Sequence, residues 1–580
     1  FHISFKELFT KGKNELYLRT GRFVERTKGF FPNAAGQLQY RGNPWKVYSR
    51  FKHAYENKMS LGMTAEKDAG EAFLTGTNPY GFDFYSAHFF LNNYNKTVKA
   101  LAIGDFEVRF GQGLTQWSGL AYGKTADVCN IKKAARPLKQ FSSVNEVAFM
   151  RGAGATLRFG KIDVTAFASY RNRDGNIPTD SAAITDTEIP VSALGLSGLH
   201  RTDAEIHDRN TLQQFTTGTS VSYKNEGLHL GVNAIYNQFS RAIEPTFQPY
   251  SQFKFSGNRL FNGSIDYSYF WQNFSFFGET AMSNNGGLAS VDGVIIGLDR
   301  KVSLSAQYRH YSRDYQVLQG AGFGEYVGTN NENGLFLGLQ IRPRREWLLN
   351  GYFDVFESPW LRSGVDAPSR GYEYLVQVNH RPSRGTDIYI RLKDQFKPEN
   401  NPTYTAGNGI NLNDLAVLNP KIHYLIDTRR TSLRFHVTNK VSKTLELRSR
   451  IEGILVSKYD APNKLSTSAQ GYLLCQDVSW KSTKIPLQAT ARFAIFNTDN
   501  YDTGIYNFEN DILYSYSTGH YYYKGSRTYI NIRYQPLKWL TAELHAGQTY
   551  IDNKTTIGSG LDEFPSNFKT DIRGQLRFTF

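Results

Sequence analysis

The sequence of 580 residues has only two cysteines and four methionines, and it has no long hydrophobic run. No stretch approaches the roughly 18 uninterrupted apolar residues that a membrane-spanning helix requires, so we exclude a transmembrane helix. Cys129 and Cys475 lie far apart, and neither belongs to a pair with metal-ligand spacing. One long-range disulfide between them stays open at this point.

Signature motifs of enzymes are also missing. The twelve histidines are scattered, and neither a G-x-S-x-G nucleophile elbow nor an H-E-x-x-H zinc motif occurs. The segment GLHRTDAEIHD gathers His200 and His207 with Asp203, Glu205 and Asp208, but its seven-residue histidine spacing matches no zinc or calcium motif. We therefore predict a structural loop there, with no catalytic residue, no metal and no cofactor.

Aromatic and basic residues are abundant. The sequence contains 41 phenylalanines and 36 tyrosines, dispersed as expected where rings gather at a membrane–water boundary. The formal net charge is +15, and the basic residues are spread along the chain rather than clustered in one stripe. This scatter favours lipopolysaccharide phosphates or a basic lumen over nucleic acid as the partner. We expect outer-membrane lipid and other outer-membrane or periplasmic proteins as partners.

Strict alternation of apolar and polar residues recurs along the chain. In the last ten residues Ile572, Leu576, Phe578 and Phe580 share one face, and charged residues share the other. Similar segments of about ten residues, the length that crosses a bilayer at a tilt, recur around positions 98–110, 388–393, 433–437 and 445–455. We interpret Leu576, Phe578 and Phe580 as the signal of a closing barrel strand.

Tight turns alternate with much longer connections. Eleven tight turns are predicted, and the long connections fall at 112–149, 172–212, 314–331, 398–425 and 497–525. Short turns on one side and long loops on the other are typical of outer-membrane barrels. We predict an all-β, antiparallel up-and-down transmembrane barrel of about 24 strands (22–26), with periplasmic turns, extracellular loops and both termini in the periplasm. Residues 1–13 would be a short periplasmic leader and 14–580 the barrel.

Charged residues on the inner faces are the first candidate site. They either neutralise one another in a lattice that stiffens the barrel, or line a selective path for ions or solutes. The predicted lumen-facing charges are Lys99, Asp105, Glu107, Arg109, Arg391, Lys393, Arg434, Glu446, Arg448, Arg450, Glu452, Arg573 and Arg577.

Two loops are further candidates. The loop from Gly111 to Val144 begins Gly-Gln-Gly, whose glycines permit a sharp bend, and it is basic. We interpret it as an infolded constriction carried by Gly111, Gly113, Trp117, Lys132, Lys133 and Arg136. The loop 501–525 is rich in tyrosine and predicts an extended hairpin above the membrane, which either docks a partner or ligand or packs on itself as a structural hairpin. Its tyrosines are Tyr501, Tyr506, Tyr514, Tyr516, Tyr521, Tyr522 and Tyr523.

Several stretches are similar to a known group of barrels. GKNELYLRTGRFVERTKGF, TAEKDAGEAF, GFDFYSAHFFL, IGDFEVRFGQGLTQWSGLAYGK and GLHRTDAEI, in this order, resemble the helix-hairpin-helix domain-containing outer-membrane barrels of Bacteroidota. The resemblance runs from about Gly12 to Phe580 and implies a barrel in the outer membrane. In that family a helix-hairpin-helix region precedes the barrel, and this sequence starts at the barrel's threshold. The resemblance implies no substrate and no binding residues.

Three functional hypotheses follow. The first is a non-enzymatic barrel within a larger outer-membrane assembly for protein insertion, export or surface-lipoprotein handling, because a wide barrel with long aromatic loops suits docking. The second is a free-standing, porin-like channel for solutes. The third is a barrel enzyme that acts on lipid or peptide. Only about a dozen residues precede the first predicted strand, so we expect the lumen to be open, filled by infolded loops, or closed by another protein.

Overall fold

The chain forms a closed antiparallel β-barrel of 24 strands. The structure is a computed structural model, and it describes residues 5–121, 123–177, 189–401, 423–515 and 517–580. Each strand pairs with its neighbour along the chain, and the first pairs with the last. Among the residues that the structure describes, no helix is both long and apolar enough to cross a membrane. The predicted fold class and strand number are confirmed.

The 24 barrel strands are numbered β1 to β24 in chain order. Their bounds are Lys13–Phe23, Lys46–Tyr55, Met59–Lys67, Phe84–Asn92, Val98–Val108, Met150–Phe159, Ile162–Arg173, Leu212–Asn225, Leu228–Ile243, Gly257–Trp271, Phe274–Ser283, Leu288–Gly297, Val302–Tyr311, Glu332–Ile341, Trp347–Ser358, Ser369–Ser383, Thr386–Asn400, Leu425–Lys440, Leu445–Asp460, Leu465–Lys481, Leu487–Thr498, Lys524–Leu537, Leu540–Ile551 and Phe568–Thr579.

Shorter elements lie before or between the barrel strands, and one of them, Leu138–Gln140, pairs with β5 in the same sheet. The helices are Phe5–Thr10 and Asp203–His207, and the 3-10 turns are Lys28–Phe30, Pro249–Ser251 and Gly560–Asp562. Two short strands form a hairpin, Ile505–Glu509 with Ser517–Tyr521. The remaining short strands are Leu138–Gln140, Gly175–Asn176 and Ala193–Leu194.

Alternation along each strand separates the membrane face from the inner face. In β21, Phe493 and Ile495 are 54% and 44% exposed, as expected for membrane-facing side chains in a structure without lipid. Arg492, Ala494 and Phe496 alternate with them and are buried on the inside of the barrel. Successive side chains of a strand point to opposite faces, so the same pattern places most charged side chains inside.

The connections differ sharply in length on the two rims. All eleven predicted tight turns join consecutive strands, for example between β8 and β9 at residues 226–227. We call this rim the turn side and the opposite rim, which carries the long connections, the loop side. The asymmetry leaves the loop side with enough chain to fold back into the lumen.

The closing seam joins the two ends of the barrel. Strand β1 pairs with β24 in a continuous register from Glu15↔Thr579 to Phe23↔Asp571. The main chains of Asn14 and Phe580 exchange two further hydrogen bonds of 2.8 and 3.0 Å. Leu576 and Phe580 are 42% and 67% exposed on the outer face. Because this pairing removes the last free strand edges, the sheet closes.

One strand turns its predicted faces around. In β5 the apolar residues Ala102 and Phe106 are fully buried on the inside, whereas Ile103 between them is 49% exposed. Asp105 lies on the face opposite these apolar residues and is bonded to Arg151 at 2.7 Å. The prediction that Asp105 lines the lumen is therefore wrong. An infolded segment covers the inside of this strand, so its inner face is apolar rather than wet.

The start of β5 departs from simple alternation too. The register with β6 shifts between Val98 and Ala100, which places Lys99 at the irregularity. At the other end Glu107 is bonded to Arg109 at 2.5 Å and lies 3.4 Å from Lys139. Glu107 and Arg109 therefore pair locally at the loop side and do not form a row along the lumen wall.

Candidate functional site

A long loop between β5 and β6 fills part of the lumen. We call residues 111–149 the infolded loop. The main-chain N–H of Gln112 donates to the Glu279 carboxylate of β11 at 2.6 Å. Further along, the Ser305 hydroxyl of β13 donates to the carbonyl of Val128 at 2.6 Å. Both wall residues are buried inside the barrel, so the loop crosses the lumen and packs against the opposite wall.

Two glycines permit this entry. Gly111 and Gly113 have φ angles of +48° and +86°, the left-handed region that glycine adopts without strain. A Cβ on Gly111 would also lie 2.6 Å from the Glu279 carboxylate. The Gly-Gln-Gly sequence is therefore what lets the backbone reach this buried acid.

A buried ion cluster fixes the middle of the infolded loop. The Lys124 ammonium lies 3.0 Å from Asp354 of β15 and 3.4 Å from Glu373 of β16. It also pairs with Glu325 in the connection between β13 and β14. Burial opposes charging of Lys124, but the three carboxylates outweigh it and raise the pKa of Lys124. Arg309 adds a further bond of 2.7 Å to Asp354, so the loop is held by charge as well as packing.

A second segment also folds into the lumen. We call residues 499–523 the inner hairpin. Arg492 of β21 donates to the carbonyl of Phe508 at 2.8 Å, and Arg573 of β24 forms an ion pair with Asp511 at the hairpin tip. The prediction of an extended hairpin above the membrane is therefore wrong. The hairpin lies inside because its carbonyls and its acidic tip satisfy arginines of the inner wall.

The tyrosines of the inner hairpin are divided between packing and open space. Tyr521 is buried and donates to Glu509 at 2.7 Å. Tyr514 meets Tyr17 of β1 edge-on, with ring centroids 5.5 Å apart. The rings of Tyr501, Tyr506 and Tyr522 surround His520, and Tyr523 stacks edge-on against Tyr522. Tyr516 lies outside the described residues. A docking role for these tyrosines stays a prediction.

Beside the inner hairpin, β16–β21 enclose a cavity of about 740 Å³ toward the turn side. Seven cationic side chains line it against three carboxylates. The cations are Arg381, Arg384, Arg434, Lys440, Arg448, Arg450 and Arg492, and the acids are Asp387, Glu446 and Asp477. The wall of this cavity is therefore strongly basic.

Two arginines face each other on this wall. Arg391 of β17 lies directly opposite Arg434 of β18 in the strand register. Arg434 forms two hydrogen bonds of 3.0 Å to Glu452, which Arg450 also shares. Arg391 donates to the amide oxygen of Gln377 at 2.6 Å, and no carboxylate in the described part of the chain forms an ion pair with it. The cluster thus carries more positive charge than its carboxylates neutralise.

Two further cavities are basic as well. A cavity of about 410 Å³ next to the infolded loop is lined by four lysines or arginines and one aspartate. Another of about 490 Å³ lies near the seam and is lined by six lysines or arginines and three aspartates. A surplus of cations is thus common to the inner cavities.

The predicted lumen charges of the second half of the barrel come together as expected from alternation. Lys393 reaches the buried Glu373 at 3.1 Å, and Arg577 reaches Thr541 at 3.2 Å on the inner face. The remaining members on the inner wall are Arg391, Arg434, Glu446, Arg448, Arg450, Glu452 and Arg573. In the infolded loop, Trp117, Lys132 and Lys133 lie inside, whereas Arg136 is exposed.

One cluster was missed at the sequence level. His200 bonds to Asp83 at 2.6 Å through Nδ1 and to Asp174 at 3.1 Å through Nε2, and its main-chain N–H donates to Glu71 at 3.0 Å. Ligand atoms of Glu71, Asp83 and His200 lie within 4.8 Å of one another, as in metal sites. Both ring nitrogens are taken by carboxylates, however, so the cluster acts as an ion-pair network that ties two loops together.

Comparison with known proteins gives structural neighbours only. No family model matches this chain, and no curated protein matches it. It is similar to the siderophore receptor PirA from Pseudomonas aeruginosa at 9% identity, covering 98% of this chain and 80% of that one, with a TM-score of 0.44. It is also similar to FpvA of P. aeruginosa bound to pyoverdines, at 9% identity, covering 98% of this chain and 72% of that one, with a TM-score of 0.43. A third neighbour is the FrpB iron transporter from Neisseria meningitidis, at 10% identity, covering 99% of this chain and 83% of that one, with a TM-score of 0.42.

These neighbours correct one expectation. The barrel was expected to act as a subunit of an assembly for protein insertion, export or surface-lipoprotein handling, and that prediction is wrong. The neighbours are named as siderophore receptors and an iron transporter, not as subunits of such an assembly. At about one-tenth identity the likeness itself concerns only the fold, that of an outer-membrane barrel. The choice of function therefore depends on the lumen.

Proposed function

We propose that this outer-membrane barrel transports small anionic solutes through its lumen, and that it does so without enzymatic chemistry. The solutes would pass through the space left between the infolded loop and the inner hairpin. The termini and the turn side would face the periplasm, as in other barrels with short turns on that side.

The carrying observation is the cation surplus of the cavity walled by β16–β21. Seven lysines and arginines face three carboxylates there. Charge of one sign in a narrow space with low-dielectric walls concentrates counter-ions, here anions. A lattice that only stiffened the barrel would be expected to match its charges.

The opposed pair Arg391 and Arg434 supports this function further. Like charges directly opposite each other in a sheet are destabilising, and Arg391 and Arg434 hold such positions. Guanidinium groups bind carboxylate and phosphate oxygens in matched geometry. A passing anion would offset the repulsion between the two side chains, which gives the pair a role in transport.

Ion selectivity tests the proposal. The purified barrel in planar bilayers under a potassium chloride gradient should conduct with chloride preferred over potassium. Arg391→Gln should lower that preference several-fold, because it removes a cation that no carboxylate neutralises. Arg370→Gln is the matched control, since Arg370 is 86% exposed outside the lumen and pairs with Glu357. Cation preference, or no current from a folded barrel, would contradict anion transport.

A further inference from the structure

A second place in the lumen has the features of a binding site. Lys132 and Lys133 of the infolded loop line the cavity of about 410 Å³ that lies against β8–β10. Asp266 is the carboxylate of the cavity wall, and it already accepts hydrogen bonds of 2.9 Å from His229 and 2.7 Å from Asn233. The two lysines therefore face the cavity without an acid of their own.

Lys133 is the more unusual of the two. Its ammonium is shielded from solvent and has no hydrogen-bond partner among the described residues. It lies over the ring of Trp117, 5.0 Å from the centroid. Burial lowers the pKa of Lys133 to about 8, although Glu279 acts in the opposite direction. Among the described residues, no carboxylate forms an ion pair with Lys133. A buried ammonium without hydrogen bonds is costly, and an anionic occupant would offset this cost.

Lys132 adds a second donor on the same wall. An ammonium has three N–H donors, and Lys132 uses one on the Ser268 hydroxyl at 2.5 Å. The same ammonium lies 4.8 Å from the ring centroid of Phe270. Phe270, which is 57% exposed, gives the cavity an apolar surface beside the two ammonium groups.

We infer that Lys132 and Lys133 bind a small organic oxyanion, a carboxylate or a phosphate ester, whose apolar part lies against Phe270. This inference rests on the proposed anion transport and names a place where the solute stops. An oxyanion would supply acceptors for the unpaired N–H groups of both lysines, as charge-assisted hydrogen bonds. The Ser268 hydroxyl would orient it from the barrel wall.

Calorimetric titration of the full-length barrel in detergent at low salt tests the site. Phenyl phosphate and benzoate are the probes, and inorganic phosphate and acetate are their counterparts without a ring. Saturable binding is expected, with the ring-bearing probe tighter than its counterpart. Lys133→Gln and Lys132→Gln should each weaken binding about ten-fold, the loss of one charge-assisted hydrogen bond. Lys139→Gln in the same loop is the control, because Lys139 is close to Glu107 and should leave affinity unchanged.

Further variants separate the site from general effects. Lys133→Arg keeps the charge and should retain binding if the barrel folds. Heat-modifiable migration in gels checks folding of every variant, and the more accessible Lys132 serves where Lys133 variants fail to fold. Equal affinity of folded Lys132→Gln and the wild type would overturn the inference. Chloride selectivity without probe binding would support anion transport and contradict this binding site. Probe binding without chloride selectivity would support the site and contradict anion transport.

Discussion

Two regions of the barrel share the same strand alternation but differ in what their inner faces contact. Inside β5–β15, called here the closed half, the infolded loop covers the wall and packs around Phe106, Phe167 and Leu138. Inside β16–β21, called the open half, arginines line a cavity with surplus positive charge. At the centre of the closed half, buried charges meet acids, as Arg309 does between Glu332 and Asp354.

The difference separates structure from transport. Around Lys124 and Arg309 in the closed half, charge is balanced by buried acids, so this cluster contributes rigidity. In the open half, charge is unbalanced and space remains, so its contribution is an electric field for solutes. Removing one cation should therefore mainly lower stability in the closed half and mainly lower ion selectivity in the open half.

The largest expected effect comes from Lys124 in the closed half. Lys124→Met leaves Glu325, Asp354 and Glu373 without their shared cation, which should cost about 3–5 kcal/mol of stability. Denaturant unfolding of the refolded barrel measures the loss. The freed infolded loop should also raise conductance. Lys96→Met in an exposed turn is the control, and equal stability of the two variants would show that the cluster does not hold the loop.

A smaller effect is expected from pH at the loop side of the closed half. Burial opposes charging of His200, but Asp174 and Asp83 outweigh it and raise its pKa to about 10. Burial also raises the pKa of Glu71 to about 7 and of Glu146 to about 9. A folded-state pKa above the unfolded one gives stability that is complete below the unfolded value and is lost as pH rises through the folded one.

Stability should therefore fall between about pH 6.5 and pH 10, the unfolded and folded values for His200. The charged hydrogen bonds involved suggest a loss of about 1.5–3 kcal/mol. Arg209 also pairs with Asp83, at 3.1 Å. Unfolding temperature against pH checks this, with His200→Gln expected to flatten the slope and the exposed His207→Gln to preserve it. A flat wild-type profile would refute the network.

The smallest effect on stability is expected in the open half. Arg391→Gln removes a cation that faces Arg434, and like charges opposite each other cost about 0.2–1 kcal/mol. Relief of this repulsion should offset the lost bond to Gln377, so unfolding should stay within about 1 kcal/mol of the wild type. Arg309→Gln in the closed half is the matched comparison and should be far more destabilising. A large loss of unfolding free energy in the Arg391 variant would contradict the proposed difference between the two halves.

Sequence pattern predicted the barrel because its causes are local. Alternation and turn length depend on neighbouring residues, so the strand number, the turns and the seam at Phe580 followed from them. The inner arginines of β17–β19 followed from the same alternation. The resemblance to the helix-hairpin-helix domain-containing barrels remains a prediction.

What the pattern missed depends on tertiary contacts. An apolar face such as that of β5 is the same in sequence whether it meets lipid or an infolded loop. The inner hairpin could not be placed because its partners, such as Arg573 for Asp511, belong to strands remote in sequence. Likewise Asp83 is 117 positions from His200, and no local spacing connects the two.

The seam between β1 and β24 has a kinetic consequence. Arg19 and Gln575 meet across it although they are 556 positions apart in the chain. Contacts of such high contact order form slowly because a long loop must close first. Until then both terminal strands expose unpaired edges that could recruit other chains. The rate of seam closure, rather than the strength of any cluster inside, should therefore set how long the barrel is exposed to aggregation during insertion.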